Sequence, residues 1–156
     1  IRGVCSSIGM DIIDVPGATG HVDSNIAGKA QAAINALKKH DFVFLHLKGT
    51  DVASHDGSFQ KKKEMIERID GEVIKSILED VGDTTIALTG DHSTPVGIGQ
   101  HSADPVPLVI TGDVRVDSVK RFDERSCSSG GMNRICGRDL MGILLDLSDN
   151  IRLFGA

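Results

Sequence analysis

Apolar positions recur along the chain with two different periods, which predict alternating strands and helices. Short β-branched or continuous apolar runs predict strands over 10–15, 41–47, 84–89 and 106–110. Spacings of three and four residues predict helices over 2–8, from Asn25 to about His40, from Ser58 to about Val81, and over 137–147. Strands that alternate with helices predict a layered α/β/α fold with a mostly parallel sheet.

Length and composition narrow the class of protein. The 156 residues are enough for a single domain, 1–156, with its own hydrophobic core. A net charge of −5, the absence of Trp and Tyr, and the lack of a long basic run argue against a nucleic-acid partner. No apolar run approaches the roughly 20 residues that span a bilayer. These features, with three cysteines at unpaired spacings, predict a cytoplasmic protein with reduced thiols and no membrane partner.

Polar loops follow two of the predicted strands, and they contain side chains suited to metal binding. Asp51 and His55 lie four apart in the predicted loop 48–58, Asp91 and His92 follow the strand 84–89, and His101 precedes the strand 106–110. Each feature alone is typical of ordinary polar loops. Together they fall on one predicted rim of the sheet, where functional groups of α/β folds gather. Carboxylate and imidazole ligands favour zinc, manganese, iron or cobalt over calcium.

The order of these residues resembles the alkaline phosphatase superfamily. Within it, the sequence is similar to the archaeal-type cofactor-independent phosphoglycerate mutases. The similar segments are Gly9–Gly20, Asp41-Phe-Val-Phe44, Ile66-Glu-Arg-Ile-Asp70, Asp91-His-Ser-Thr-Pro95, the stretch from His101 to Pro107, and Gly137-Arg-Asp-Leu-Met141. The resemblance covers essentially the whole chain and implies an incomplete, alkaline-phosphatase-like fold that corresponds to the C-terminal part of these enzymes.

The resemblance also implies roles for the candidate ligands. Asp51, His55 and His101 would hold one divalent metal, and Asp91 and His92 would hold a second, with manganese, zinc or cobalt all compatible. The substrate would be phosphoglycerate, exchanged between its 3- and 2-phospho forms through a phospho-serine enzyme. The nucleophile segment and the inserted domain of the family have no counterpart here. The chain alone is therefore expected to be inactive, with partial metal occupancy at most.

Some features depart from the family pattern or leave alternatives open. Lys48 places a positive charge near the first ligand, and it is expected to weaken metal binding unless it points away or meets substrate phosphate. The stretch Ser126–Gly131 is compatible with a nest of backbone amides that binds phosphate, although an exposed turn is the favoured interpretation. The alternative functions are another phosphatase, phosphopentomutase or sulfatase-like enzyme, or a non-catalytic α/β module. An exposed sheet edge and apolar surface predict self-association of the chain.

Overall fold

The computed structural model describes residues 1–150, and its helices and strands divide between two units. The first unit comprises Ile1–Gly82 and Thr94–Gln100, and the second comprises Asp83–Ser93 and the described residues 101–150. Among residues 1–150, no helix is both long and apolar enough to cross a bilayer. The single domain predicted from the sequence stays a prediction.

Two helices near the start of the first unit confirm predictions from helical spacing. Helix α1 spans Arg2–Ser7, and helix α2 spans Ile26–Leu37. The side chain of Asn25 caps α2 by accepting a hydrogen bond from the Gly28 amide at 2.9 Å. Capping of this kind satisfies one of the amide donors left open at a helix N-terminus. The local sequence therefore specifies where this helix begins.

The long helix predicted after Ser58 is present, with a wider turn in its middle. Helix α4 spans Phe59–Arg68, a π-helical segment spans Ile69–Ile74, and helix α5 spans Lys75–Asp80. Ser58 caps α4 through a hydrogen bond from the Lys61 amide to its hydroxyl. The π-helical segment carries one of the buried core residues, Val73.

The core of the first unit lies between α2 and the long helix. Its fully buried members are Ile26, Ala30, Met65 and Val73. Partly buried side chains pack against this cluster: Leu45, Leu47, Ile69 and Ile77. The two leucines belong to segment 41–47, so this segment lies against the core. The predicted apolar stripe of the long helix is the surface that this core buries.

Three predictions for the first unit were wrong. Segments 10–15 and 41–47 form no ladder, because a strand needs a hydrogen-bonded neighbour and neither has one among residues 1–150. The predicted loop 48–58 contains helix α3, which spans Gly49–His55. An acidic side chain in the first turn and a histidine in the last turn suit the helix dipole, and this signal was overlooked.

The second unit holds the only ladder of two strands among residues 1–150. Strand β1 spans Ile86–Thr89 and strand β2 spans Leu108–Thr111. They pair antiparallel, with Ile86 opposite Thr111 and Thr89 opposite Leu108. The mostly parallel sheet was therefore wrong for these residues. The α/β prediction assumed a crossover helix between neighbouring strands, whereas an irregular connection joins β1 to β2.

Short helices complete the second unit. Helix α6 spans Glu124–Cys127 and was not predicted. The predicted helix 137–147 is present as a 3₁₀ turn, Gly137–Asp139, followed by helix α7, Leu140–Leu147. The Asp123 side chain caps α6 by accepting a hydrogen bond from the Ser126 amide at 2.9 Å. A helix of one turn has too few residues for a periodic apolar stripe, so its cap is the main sequence signal.

Candidate metal centre

Helix α3 brings Asp51 and His55 together in the first unit. The two residues lie four apart, and side chains at this spacing share one face of a helix. The distance from His55 Nε2 to Asp51 Oδ1 is 3.3 Å. Asp51 is largely buried, with 13% of its side chain exposed, whereas the figure for His55 is 36%. The pair therefore combines a shielded carboxylate with an imidazole that solvent reaches.

The hydrogen bond of the other ring nitrogen sets the tautomer of His55. His55 Nδ1 lies 2.8 Å from the carbonyl oxygen of Gly99, which is 44 residues away in the chain. A carbonyl oxygen only accepts hydrogen bonds, so Nδ1 carries the proton. In the neutral ring, the lone pair is then on Nε2, the atom that faces Asp51. Gly99 has φ of +65°, a conformation that glycine adopts without strain.

Thr94 supports the carboxylate of this pair. Its hydroxyl donates a hydrogen bond to Asp51 Oδ1 at 2.7 Å, and only 5% of the residue is exposed. The Thr94 carbonyl oxygen accepts a hydrogen bond of 2.9 Å from Lys62 Nζ on α4. Sequence reasoning gave Thr94 no role, although a hydroxyl directly after the Asp91-His92-Ser93 run was a usable signal. Groups that orient a ligand in this way matter for metal affinity.

The charge state of Asp51 reflects opposing influences. Burial acts to raise its pKa, but the Thr94 hydrogen bond and the Lys48 ammonium together outweigh burial. The pKa of Asp51 is therefore lowered from its usual value. Lys48 Nζ lies 3.2 Å from Asp51 Oδ2. The carboxylate is thus held in its anionic form, the form that binds cations.

The second unit places the other three predicted ligands. His92 and His101 lie side by side, with ring centroids 3.8 Å apart and planes inclined by 31°. Asp91 is near the same ring, with Oδ2 3.6 Å from His92 Nε2. A β-bridge between Ser93 and Ser102 holds the two histidine-bearing segments next to each other. The sequence assigned His92 and His101 to different metals, and the structure sets their rings in contact.

A close backbone approach shapes the turn after β1. A Cβ atom at Gly90 would lie 3.3 Å from the Val106 side chain and 3.5 Å from the His92 carbonyl oxygen. The first distance is tight for a Cβ contact, and the second is an ordinary van der Waals contact. Glycine at this position therefore suits the tight path that leads from β1 into Asp91 and His92.

The chemistry of the donors suits a divalent cation. In the first unit, a carboxylate oxygen and an imidazole nitrogen face each other at 3.3 Å. A neutral imidazole nitrogen and a carboxylate oxygen at this spacing can bind one cation between them. In the second unit, the imidazoles of His92 and His101 are in contact, and the carboxylate of Asp91 lies close to His92. These ligand types are the ones that zinc, manganese and cobalt accept.

The stretch Ser126–Gly131 has an internal partner. The Gly131 amide donates a hydrogen bond to Asp117 Oδ2 at 2.7 Å, and the Val119 amide donates one to Asp117 Oδ1 at 2.8 Å. The backbone hydrogen bonds from Gly131 and Val119 lower the pKa of Asp117, with burial opposing them. A carboxylate of the chain itself therefore takes the place that a phosphate would need beside Gly131.

Comparison with known proteins adds independent findings. Residues 2–147 match the Metalloenzyme superfamily. A protein of Methanococcus vannielii named 2,3-bisphosphoglycerate-independent phosphoglycerate mutase is 48% identical over 100% of this chain and 39% of its own length. A protein of Methanocaldococcus jannaschii named 2,3-bisphosphoglycerate-independent phosphoglycerate mutase 1 is 47% identical over 100% of this chain and 38% of its own length. The chain thus spans well under half the length of these curated relatives.

A solved structure shows the same fold. A protein from Pyrococcus horikoshii superposes with a TM-score of 0.95 at 46% sequence identity, over 99% of this chain and 48% of its own. The α/β, alkaline-phosphatase-like fold class predicted from the sequence is confirmed by this likeness and by the family match. The pairing direction of the two described strands is the part of that prediction that needed correction.

Proposed function

Because the chain belongs to the Metalloenzyme superfamily, we propose that it forms part of a 2,3-bisphosphoglycerate-independent phosphoglycerate mutase. The support is the 48% and 47% identity to two archaeal proteins that carry this name. The substrate is phosphoglycerate, interconverted between its 3- and 2-phospho forms within glycolysis and gluconeogenesis in the cytoplasm. The proposed activity belongs to a longer protein, and the 156-residue chain alone is expected to be inactive as a mutase.

The proposed role of this chain is to hold divalent metal. Asp51, His55 and His101 bind one ion, and Asp91 and His92 contribute to a second. The observation that carries this proposal is the placement of His55, whose Nδ1 lies 2.8 Å from the Gly99 carbonyl oxygen and whose Nε2 lies 3.3 Å from Oδ1 of the anionic Asp51. Bound divalent ions would neutralise phosphoryl oxygens and steady the attacking and leaving groups of an in-line transfer. Manganese, zinc and cobalt all suit these ligands.

Metal titration of the chain tests this role. Addition of Mn²⁺ to the metal-free chain should give saturable binding, measured by loss of the paramagnetic signal of free Mn²⁺. Asp51→Ala and His55→Ala should each weaken binding by at least about tenfold, as expected for loss of a ligand. Asp70→Ala removes the same charge from an exposed position and serves as the control. Equal affinity in all three variants would show that ordinary surface carboxylates account for any binding.

An activity assay with the full-length protein tests the proposed reaction. The protein should convert 3-phosphoglycerate to 2-phosphoglycerate without added 2,3-bisphosphoglycerate. Release of inorganic phosphate in place of the isomer would favour another phosphatase of the same superfamily. Neither product, with metal binding also absent, would favour a non-catalytic α/β module. The isolated 156-residue chain is the negative control, since it is expected to show no turnover.

Self-association of the isolated chain is a further part of the proposal. Phe42 is 42% exposed and Phe44 is 50% exposed, and both lie in segment 41–47, which pairs with no strand among residues 1–150. A segment without a ladder partner and with exposed aromatic side chains offers both backbone hydrogen-bonding groups and apolar area to a second copy. Light scattering should report a mass above 16.6 kDa that falls on dilution. A monodisperse monomer at all concentrations would contradict it.

A further inference from the structure

We propose that Lys48 is the resident counter-cation of Asp51 and that it sets the affinity of this carboxylate for divalent metal. The inference rests on the metal-binding role proposed above and concerns a residue outside the predicted ligand set. Lys48 Nζ lies 3.2 Å from Asp51 Oδ2, three residues along the chain. Sequence reasoning left open whether this ammonium points away from the ligands. In the structure it meets the carboxylate.

The two oxygens of Asp51 have different partners. Oδ1 accepts the Thr94 hydroxyl hydrogen at 2.7 Å and lies 3.3 Å from His55 Nε2. Oδ2 is buried, and the Lys48 ammonium is beside it. The single negative charge of this carboxylate is thus already neutralised by a cation of the chain. A divalent ion bound to Asp51 must share that charge with Lys48 or displace the ammonium.

The Lys48 ammonium can move away from the Asp51 carboxylate when a metal ion binds. Its side chain is 53% exposed, so solvent can take up the ammonium when it leaves the carboxylate. A lysine has a long flexible stem and a strongly hydrated head, which makes such an exchange easier than for a bidentate arginine. Lys62 differs, because its Nζ donates to the Thr94 carbonyl oxygen at 2.9 Å and does not neutralise a ligand. Lys48 is therefore the lysine placed to compete with metal.

The ion pair also gives the metal-free state a stable arrangement. A largely buried carboxylate without a counter-charge carries a desolvation penalty. The Lys48 ammonium, 3.2 Å from Oδ2, and the Thr94 hydroxyl, 2.7 Å from Oδ1, offset this penalty while no metal is bound. The structure thus assigns Lys48 two linked effects, namely stabilisation of the metal-free chain and weaker metal binding.

Replacement of Lys48 tests this inference. Lys48→Met removes the charge and keeps most of the stem, and it should bind Mn²⁺ roughly tenfold more tightly than the parent at low ionic strength. Lys48→Gln is the second neutral variant, and Lys48→Arg keeps the charge and should bind Mn²⁺ no more tightly than the parent, because arginine leaves a carboxylate less easily than lysine does. Lys63→Met removes one charge from an exposed pair with Glu67 and is the matched control. Added salt should narrow the difference between Lys48→Met and the parent.

A second measurement separates competition from simple positioning of Asp51. In chelator, Lys48→Met should unfold at a lower temperature than the parent, and added Mn²⁺ should raise its unfolding temperature by more. Equal or weaker Mn²⁺ binding by both neutral variants would overturn the role of Lys48 and leave the metal site intact. Absence of Mn²⁺ binding in the parent and every variant would instead overturn the proposed metal site together with this inference.

Discussion

Thr94 donates a 2.7 Å hydrogen bond to Asp51, which links positions 43 residues apart in the chain. The bond is shielded, because only 5% of Thr94 is exposed. It fixes one carboxylate oxygen at 3.3 Å from His55 Nε2. Ligand geometry in the first unit therefore depends on a residue that binds no metal itself.

The first prediction concerns this hydrogen bond. Thr94→Val keeps the shape of the side chain and removes the hydroxyl, so the free energy of unfolding should fall by about 1–2 kcal/mol. Mn²⁺ affinity should fall as well, because Asp51 loses the group that orients it. Denaturant unfolding and Mn²⁺ titration measure the two effects. Thr111→Val, at an exposed position of β2, is the control and should leave both nearly unchanged.

The second prediction concerns metal removal. Mn²⁺ at about 100 times its dissociation constant should stabilise the chain by about 2.7 kcal/mol, since it binds the folded form. Thermal unfolding in Mn²⁺ and in chelator measures this shift. His55→Gln should lose most of it, whereas His21→Gln, at an exposed position, should retain it. A full shift in His55→Gln would contradict the role given to this imidazole.

The third prediction concerns the contact between α3 and α4. A Cβ atom at Gly49 would lie 2.8 Å from Met65 Sδ and 3.0 Å from Met65 Cε. Gly49→Ala should therefore lower the free energy of unfolding by about 1–3 kcal/mol, as overpacking does. Gly71→Ala is the control, because nothing lies within 4 Å of the added atom. That variant should be neutral or more stable, since alanine favours a helix over glycine.

The fourth prediction concerns pH and Asp117. Its pKa is lowered by the Gly131 and Val119 amides, so the folded state binds a proton less readily than the unfolded state. The stabilisation is present above the unfolded pKa of about 3.9 and is lost as the pH falls through the folded pKa. Asp117→Asn should lower the unfolding temperature at neutral pH, because an amide nitrogen then meets a backbone N–H group.

The same variant should converge with the parent as the solution becomes acidic. Unfolding temperatures of both proteins, measured from neutral pH down to about pH 3, test this convergence. Asp113→Asn is the control at another exposed position of the second unit. A difference between Asp117→Asn and the parent that stayed constant across this range would rule out the linkage.

Local patterns predicted most helices of residues 1–150 and failed for two segments that were predicted as strands. Helix α2 and the long helix from Phe59 to Asp80 follow from apolar spacing and from the caps Asn25 and Ser58. Segment 41–47 has the composition of a strand, yet a strand is defined by its neighbour, and no neighbour is present in residues 1–150. Helix α3 was missed because its seven residues are too few for a periodic signal.

The amino-acid sequence by itself determined the ligand types, their order along the chain and the resemblance to a metal-dependent family, since these depend only on which residues are present. The tertiary structure alone decided that Gly99 sets the tautomer of His55, that Thr94 orients Asp51, and that Lys48 neutralises it. The first two contacts join residues more than 40 positions apart, and the third depends on which way a flexible side chain turns. Periodicity and spacing carry no information about long-range contacts or about the direction of a side chain, because packing decides both.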